Sequence, residues 1–185
     1  VETFSDILDS LRKAAPEDAA LLLREAAEAA NSAVYQRACA DPDCRGMGTT
    51  MVAALVSGKT AHLLNIGDSR AYLLRASRLT KLSRDHTQAQ QMLDLKLITP
   101  EQVASHPDRH KLTQHLGIFP EEMIIEPYES DGFPLYRGDL FLLCSDGLTD
   151  MLTEVELAQI LRGPLRVSEK ADCLYKAAVQ HGGKD

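Results

Sequence analysis

The sequence predicts an α+β layered domain, and three observations carry the prediction. Helical spacing of apolar residues occupies both ends of the chain, strand-like runs follow one another through the middle, and the breaks between those runs are short and polar. Short polar breaks suit antiparallel hairpins, because a parallel pair needs a crossover of a dozen or more residues.

Residues 3 to 14 and 16 to 38 read as two helices, with Pro16 in the first turn of the second and Glu17 and Asp18 near its positive dipole end. Leu22, Ala26, Ala29, Ala30, Ala33 and Val34 give that helix a narrow, alanine-rich face suited to covering a sheet. The loop "DPDCRGMG" follows. Residues 49 to 56, 60 to 66 and 70 to 75 are strands, with a short fourth near 79 to 82, separated by Ser57-Gly58-Lys59, Gly67-Asp68-Ser69 and Ala76-Ser77-Arg78. Residues 87 to 95 form a helix capped by Thr87. A shorter one begins at Thr99-Pro100-Glu101, where Thr caps and Pro takes the first helical position. The stretch "SHPDRHKLTQHLG" is irregular and polar. Strand character returns at 123 to 128 and 139 to 144. Thr153 and Glu156 have capping-box spacing ahead of "LAQIL", and a last helix runs from Ser168 to about Gln180 before Gly182 stops it.

Composition narrows the function. In 185 residues, 27 acidic side chains outnumber 20 basic ones without any Lys/Arg block, which argues against a nucleic-acid backbone as partner. No apolar run reaches membrane-spanning length, and no signal-peptide pattern opens the chain. Cys144 and Cys173 lie in apolar patterns and read as small core residues, whereas Cys39 and Cys44 bracket "ADPD" without a zinc-knuckle spacing. The pattern is that of a reduced, cytoplasmic protein.

The chemistry gathers around three aspartates. Asp68 stands between two strands beside Gly67, Asp146 ends the apolar run "LFLLC" beside Gly147, and Asp185 follows Gly182-Gly183-Lys184. Strand ends hold a carboxylate rigidly, and glycine lets backbone or ligand approach closely. Carboxylates brought together raise one another's pKa unless a cation joins them; Mg²⁺ and Mn²⁺ take such oxygen ligands. On spacing alone, simple Asp-Gly turn capping accounts for the same residues.

The strings "GMGTTMVAALV", "NIGDSRAYLLR", "DHTQAQQML" with "ITPEQVASHPDRHKLTQHLG", "GDLFLLCSDGLTDML" and "GGKD", in that order, resemble the protein phosphatase 2C family. These are the metal-dependent (PPM) serine/threonine phosphatases, and the likeness is to the bacterial type. The resemblance implies two antiparallel β-sheets packed as a sandwich and flanked by helices (α/β/β/α layers), incomplete in this chain. It implies hydrolysis of phosphoserine and phosphothreonine with two or three Mn²⁺ or Mg²⁺ ions, a phosphoprotein substrate such as a Ser/Thr kinase or its targets, and a monomer at full length. By the same resemblance Asp146 and Asp185 are metal ligands, with the backbone of Gly147 at that centre. Asp68 helps to hold an additional, weaker metal, and residues 84 to 117 are a flap beside the site within a single phosphatase-like domain over 1–185.

Departures from the family pattern are as informative. The Asp-Gly-x-Gly-Gly motif, the phosphate-binding arginine and the acid histidine do not occur upstream of Val1, and no strand follows Asp185. The expectation is a natural protein longer at both ends, with this chain inactive by itself; a catalytically silent, partner-binding module is the alternative. Zinc binding by His106, His110 and His115 is disfavoured because Pro107 interrupts the helix their spacing would need, so they read as exposed flap residues. His86 reads as structural, and Arg70 as the partner of a carboxylate.

Overall fold

The computed structural model describes residues 18–119 and 125–183, in which seven strands form two antiparallel sheets. The expected helix at 3 to 14, Pro16 and Asp185 lie outside those residues. Helix α1 (Ala19–Ala40) leads into a 3-10 turn (Pro42–Cys44). Strands β1 (Met51–Ser57), β2 (Thr60–Ile66), β3 (Arg70–Arg75) and β4 (Arg78–Lys81) follow. Helices α2 (Gln88–Asp94) and α3 (Pro100–Val103) precede β5 (Tyr128–Glu129), β6 (Phe133–Pro134) and β7 (Leu140–Cys144). Helices α4 (Asp146–Thr149), α5 (Glu154–Arg162) and α6 (Val167–Gln180) complete the order.

One sheet runs β1-β2-β5, with β6 also on β2; the other runs β4-β3-β7. The chain passes from the first sheet to the second at Gly67-Asp68-Ser69. Alternation along each central strand sends side chains to two layers at once. Leu64 and Ile66 of β2 meet Leu23 and Ala27 of α1, and Tyr72 and Leu74 of β3 meet Leu157 and Leu161 of α5 and Leu174 of α6. Ala61, Leu63, Ala71 and Leu73 take the opposite faces and are also buried. Across the gap between sheets, the rings of Phe133 and Phe141 lie 6.2 Å apart. Burial on both faces explains why β2 and β3 read as continuous apolar runs instead of alternating ones. The result is the α+β sandwich expected from the sequence.

The loops obey turn chemistry. Ser57 pairs with Thr60 across a two-residue hairpin in which Gly58 has φ +60°. Arg75 pairs with Arg78, and here Ala76 and Ser77 carry positive φ (47° and 65°) without being glycine. Arg162 Nε donates to the Ser77 carbonyl at 2.7 Å and braces that turn.

Several expectations shift. The buried face of α1 centres on Leu23, Ala27 and Asn31, and Ala33 is exposed. Asn31 is buried because its amide serves the loop beyond it: Oδ1 accepts from Gly117 and Ile118 N–H, and Nδ2 donates to the Ile118 carbonyl. The strand placed at 123 to 128 is only Tyr128–Glu129 among the described residues, since Pro127 has no N–H to give a ladder. Strand β6, which itself contains Pro134, has too little pattern to announce itself. Leu143 is 41 % exposed, not core, because β7 has β3 as its one ladder partner among the described residues. Cys144 and Cys173 are half-buried.

Candidate metal centre

Pairing of β3 with β7 sets up the site. The ladder runs from Leu74↔Leu140 to Arg70↔Cys144, and two further steps along both chains reach Asp68 and Asp146. The two carboxylates are therefore brought face to face by strand register, although 77 positions separate them in sequence (146 − 68 − 1). Burial, then the charge of Asp146, pushes the Asp68 carboxyl above its ordinary range. A cation between the two carboxylates would relieve that repulsion.

Backbone around Asp68 is tightly held. Gly67 has φ +96°, and a Cβ there would meet Thr50 Cγ2 at 2.3 Å, so the corner tolerates no side chain. Gly67 N–H donates to His86 Nδ1 at 3.1 Å, and His86 N–H returns a bond to the Gly67 carbonyl at 2.9 Å. His86 is structural, as the sequence suggested, and burial holds its imidazole below the ordinary pKa, consistent with an acceptor nitrogen. Buried Asn65 donates to the carbonyls of Gly67 and Arg84 and accepts from Arg84 N–H. Behind the corner, Arg70 Nε and Nη2 both donate to Asp85 Oδ2 (3.0 and 2.7 Å), Nε also reaches Oδ1 at 3.2 Å, and Lys81 Nζ approaches Oδ1 at 2.6 Å.

Helix α4 replaces the simple Asp-Gly turn read from the sequence. Its single turn, closed by Asp150 N–H to the Asp146 carbonyl at 2.8 Å, puts Asp146 and Asp150 on one side, four residues apart. Gly147 lies in that turn but lines an apolar groove with Leu174, Tyr175 and Val179 of α6 rather than the acidic cleft.

His110 is exposed, as the sequence suggested, but it faces two carboxylates: Nδ1 lies 3.6 Å from Asp146 Oδ2, and Nε2 lies 3.1 Å from Asp150 Oδ2. One ligand atom from each of Asp68, His110 and Asp146 falls within a common span of 4.8 Å. His106 and His115 take other partners: His106 Nδ1 accepts from Asp108 N–H, and His115 Nδ1 lies 3.0 Å from the Leu116 carbonyl. The only cue in the sequence was histidine density, and it pointed to the wrong partners. The cleft between these groups has a volume of about 210 Å³ and is lined by Asp68, Arg70, Asp85, Thr87, Val103, Ala104, Arg109, His110, Asp146, Thr149 and Asp150. Thr149 Oγ1 is buried there without a hydrogen-bond partner among the described residues. A hard-donor set with an unused hydroxyl fits a divalent cation and its water.

The segment carrying His110 is fastened at both roots. Asn65 holds Arg84 and Asn31 holds Gly117 and Ile118, while Thr49 and Leu116 exchange backbone bonds at 3.2 and 2.7 Å. Between the roots, Gln88 N–H reaches the Lys111 carbonyl at 2.9 Å.

Known proteins resemble this chain in sequence and in fold. The family model described as Protein phosphatase 2C matches residues 1–180. The chain is 39 % identical over 163 residues to the serine/threonine protein phosphatase PstP of Mycobacterium tuberculosis, covering 88 % of this chain and 30 % of that protein. It is 37 % identical over 165 residues to the serine/threonine phosphatase stp of Listeria monocytogenes, covering 88 % and 63 %. It thus spans roughly a third to two-thirds of these relatives. A crystal structure of the M. tuberculosis phosphatase superposes with a TM-score of 0.86 at 37 % identity, over 98 % of this chain and 75 % of that one. A PstP catalytic domain in complex with two manganese ions gives 0.80 at 34 % identity, over 98 % and 74 %.

Proposed function

Because the chain belongs to the protein phosphatase 2C family, we propose that the protein in its natural length is a metal-dependent serine/threonine phosphatase that hydrolyses phosphoserine and phosphothreonine on proteins. The observation that carries this reading is the meeting of Asp68 and Asp146 at the end of one strand ladder, in a cleft rich in acidic groups. Asp146 would anchor the metal centre, with Asp185 a second ligand and Asp68 holding a further ion.

When bound, the divalent cation supplies a water of lowered pKa and neutralises phosphoryl charge. This chain's residues do the rest. Register holds Asp68 and Asp146 in place, and the Gly67 corner keeps Asp68 from retreating. Arg70 is engaged by Asp85 and is therefore a brace rather than a phosphate anchor. Cys144 is no nucleophile, since burial pushes its thiol up to about 11.

Mn²⁺ and Mg²⁺ both suit the carboxylates, and we favour Mn²⁺ because the cleft also offers an imidazole. The substrate class is a phosphoprotein, with Ser/Thr kinases and their targets as candidates, and the full protein is a monomer. Four unbridged cysteines support a cytoplasmic setting. No helix among the described residues is long and apolar enough to cross a membrane.

The test is hydrolysis of a phosphoserine peptide by the natural-length protein with added MnCl2. Activity should require the metal and fall at least 100-fold in Asp146→Ala. Full activity in that variant would remove Asp146 from the centre, and no metal-dependent turnover in the parent protein would favour a silent, partner-binding module.

A further inference from the structure

We propose that the end of the sandwich opposite the acidic cleft is a docking face for an anionic lipid surface, formed by Lys59, Arg78, Arg137 and Arg162 together with the exposed side chains of Tyr136 and Leu165. The inference goes beyond the phosphatase reading and does not depend on it.

Arg75, the last residue of β3, ties the loops of this end together. Its guanidinium pairs with both oxygens of Asp139 (2.9 and 2.7 Å) and donates to the Pro134 carbonyl at 2.7 Å, and its Cζ lies 4.5 Å from the centre of the Tyr136 ring. Leu135 N–H donates to the Lys59 carbonyl at 2.8 Å, which joins the β1–β2 turn to the same loop. On the other side, Arg162 Nε holds the Ser77 carbonyl and brings the α5–α6 loop alongside the β3–β4 turn. The face is thus built from turns that brace one another and is in place before any partner arrives.

The chain carries a net charge of −7, yet this end is positive. Arg75 and Arg166 are matched by Asp139 and Glu169. Lys59, Arg78, Arg137 and Arg162 are exposed and have no carboxylate within ion-pairing distance among the described residues, which leaves four cations unmatched. From Arg70 to Arg75, β3 spans about 17 Å, two Debye lengths at physiological salt, and Asp68 lies beyond Arg70. An approaching anionic surface therefore meets the four cations and is screened from the acidic cleft.

Apolar side chains choose among the anionic partners. Tyr136, Leu165 and Val167 are 59, 43 and 66 % exposed, on loops that also carry the cations. A free phosphate ion would gain nothing from them, and an acidic peptide lying over the guanidinium groups would leave them projecting into water. A bilayer interface takes both kinds of side chain, with phosphate headgroups for the cations and the acyl boundary for the tyrosine and aliphatic tips. The cytoplasmic leaflet is the anionic one, in agreement with the setting proposed above. A molecule docked in this way turns the Asp68–Asp146 cleft away from the lipid and leaves it open to phosphoproteins in solution.

Sedimentation of the natural-length protein with vesicles of phosphatidylcholine mixed with phosphatidylglycerol, and with vesicles of phosphatidylcholine alone, provides the test. The mixed vesicles should carry the protein down, and added NaCl should release it. Each cation removed should weaken partition about 5-fold, so Arg78→Gln combined with Arg137→Gln should weaken it about 25-fold. Arg45→Gln, beside Gly117 and away from this face, should change partition less than about 2-fold. Circular dichroism, melting temperature and phosphopeptide hydrolysis should stay at parent values in the double variant, which separates lost docking from lost folding. Emission from Tyr136→Trp should shift to the blue on the mixed vesicles, because that side chain enters the interface. Equal sedimentation with both vesicle types, partition unmoved by the double variant, or an unshifted Tyr136→Trp emission would each overturn the proposal. Capture of the protein by polyglutamate but not by vesicles would also overturn it and would make the face a surface for an acidic protein.

Discussion

Replacing Gly67 by alanine should damage the molecule far more than the same change at Gly58, and the difference follows from the structure. Both glycines have positive φ, +96° and +60°, so both substitutions incur backbone strain of about 1–2 kcal/mol. At Gly58 a new Cβ meets nothing within 4 Å. At Gly67 it meets Thr50 Cγ2 at 2.3 Å and Thr50 Cβ at 2.7 Å, and Thr50 Oγ1 already shares a 2.7 Å hydrogen bond with Ser69 Oγ. Moving Thr50 aside breaks that bond, at about 1 kcal/mol. Forcing the extra carbon into a packed corner adds about 1–3 kcal/mol. The expected loss is therefore about 3–6 kcal/mol for Gly67→Ala against about 1–2 for Gly58→Ala. Urea denaturation of both variants beside the parent measures the difference, and Mn²⁺ affinity read on the same samples reports whether Asp68 has moved. Equal destabilisation by the two substitutions would refute the steric argument. Unchanged Mn²⁺ affinity in a strongly destabilised Gly67→Ala would refute the link between this corner and the site.

Three further expectations address other parts of the fold. Converting Ala76-Ser77 to Asn-Gly relieves two residues held at positive φ and should raise stability by about 1–2 kcal/mol, measured as a higher urea midpoint at unchanged m; no gain would mean the turn is not strained. Asp85→Asn leaves Arg70 and Lys81 without their shared anion and should cost about 2–4 kcal/mol, less than for a fully buried pair because both cations are about a quarter exposed, whereas Glu169→Gln at the exposed Arg166 pair should leave the urea midpoint almost unchanged. Burial holds the His86 pKa below its unfolded value. Its contribution is therefore fully present above about pH 6.5 and is lost as pH falls through the folded pKa. Stability measured between pH 7.5 and 5 should drop less in His86→Gln than in the parent, and parallel curves would remove His86 from the account.

Strands β1 to β4 were legible almost to the residue because each run is bounded by turn chemistry that admits few alternatives. Thr87, Thr99 and Thr153 announced their helices for a similar local reason: the capping group lies within a few residues of the N–H it serves. The acidic pair was half legible. "GDS" and "SDG" marked two strand ends, but nothing local says that β3 and β7 are neighbours, and only their pairing turns two marks into one site. His110 was illegible for the same reason taken further. Its partners come from a different part of the chain, and its own stretch has no period from which a facing direction could be read. Asn31 was not announced by the sequence either, since a polar residue beside an alanine-rich face gains its buried place from a loop 86 positions away.

The ladder between β3 and β7 also bears on how such a molecule can change. The spacing of Asp68 and Asp146 depends on hydrogen bonds between two strands and not on the length or sequence of what lies between them. The intervening stretch can therefore be lengthened, shortened or exchanged while the two aspartates keep their separation, provided its roots still meet Asn31 and Asn65. Variation in that stretch exchanges only the third group offered to the cleft. A descendant with serine, aspartate or cysteine at position 110 would inherit the same acidic pair and present it with a different chemistry.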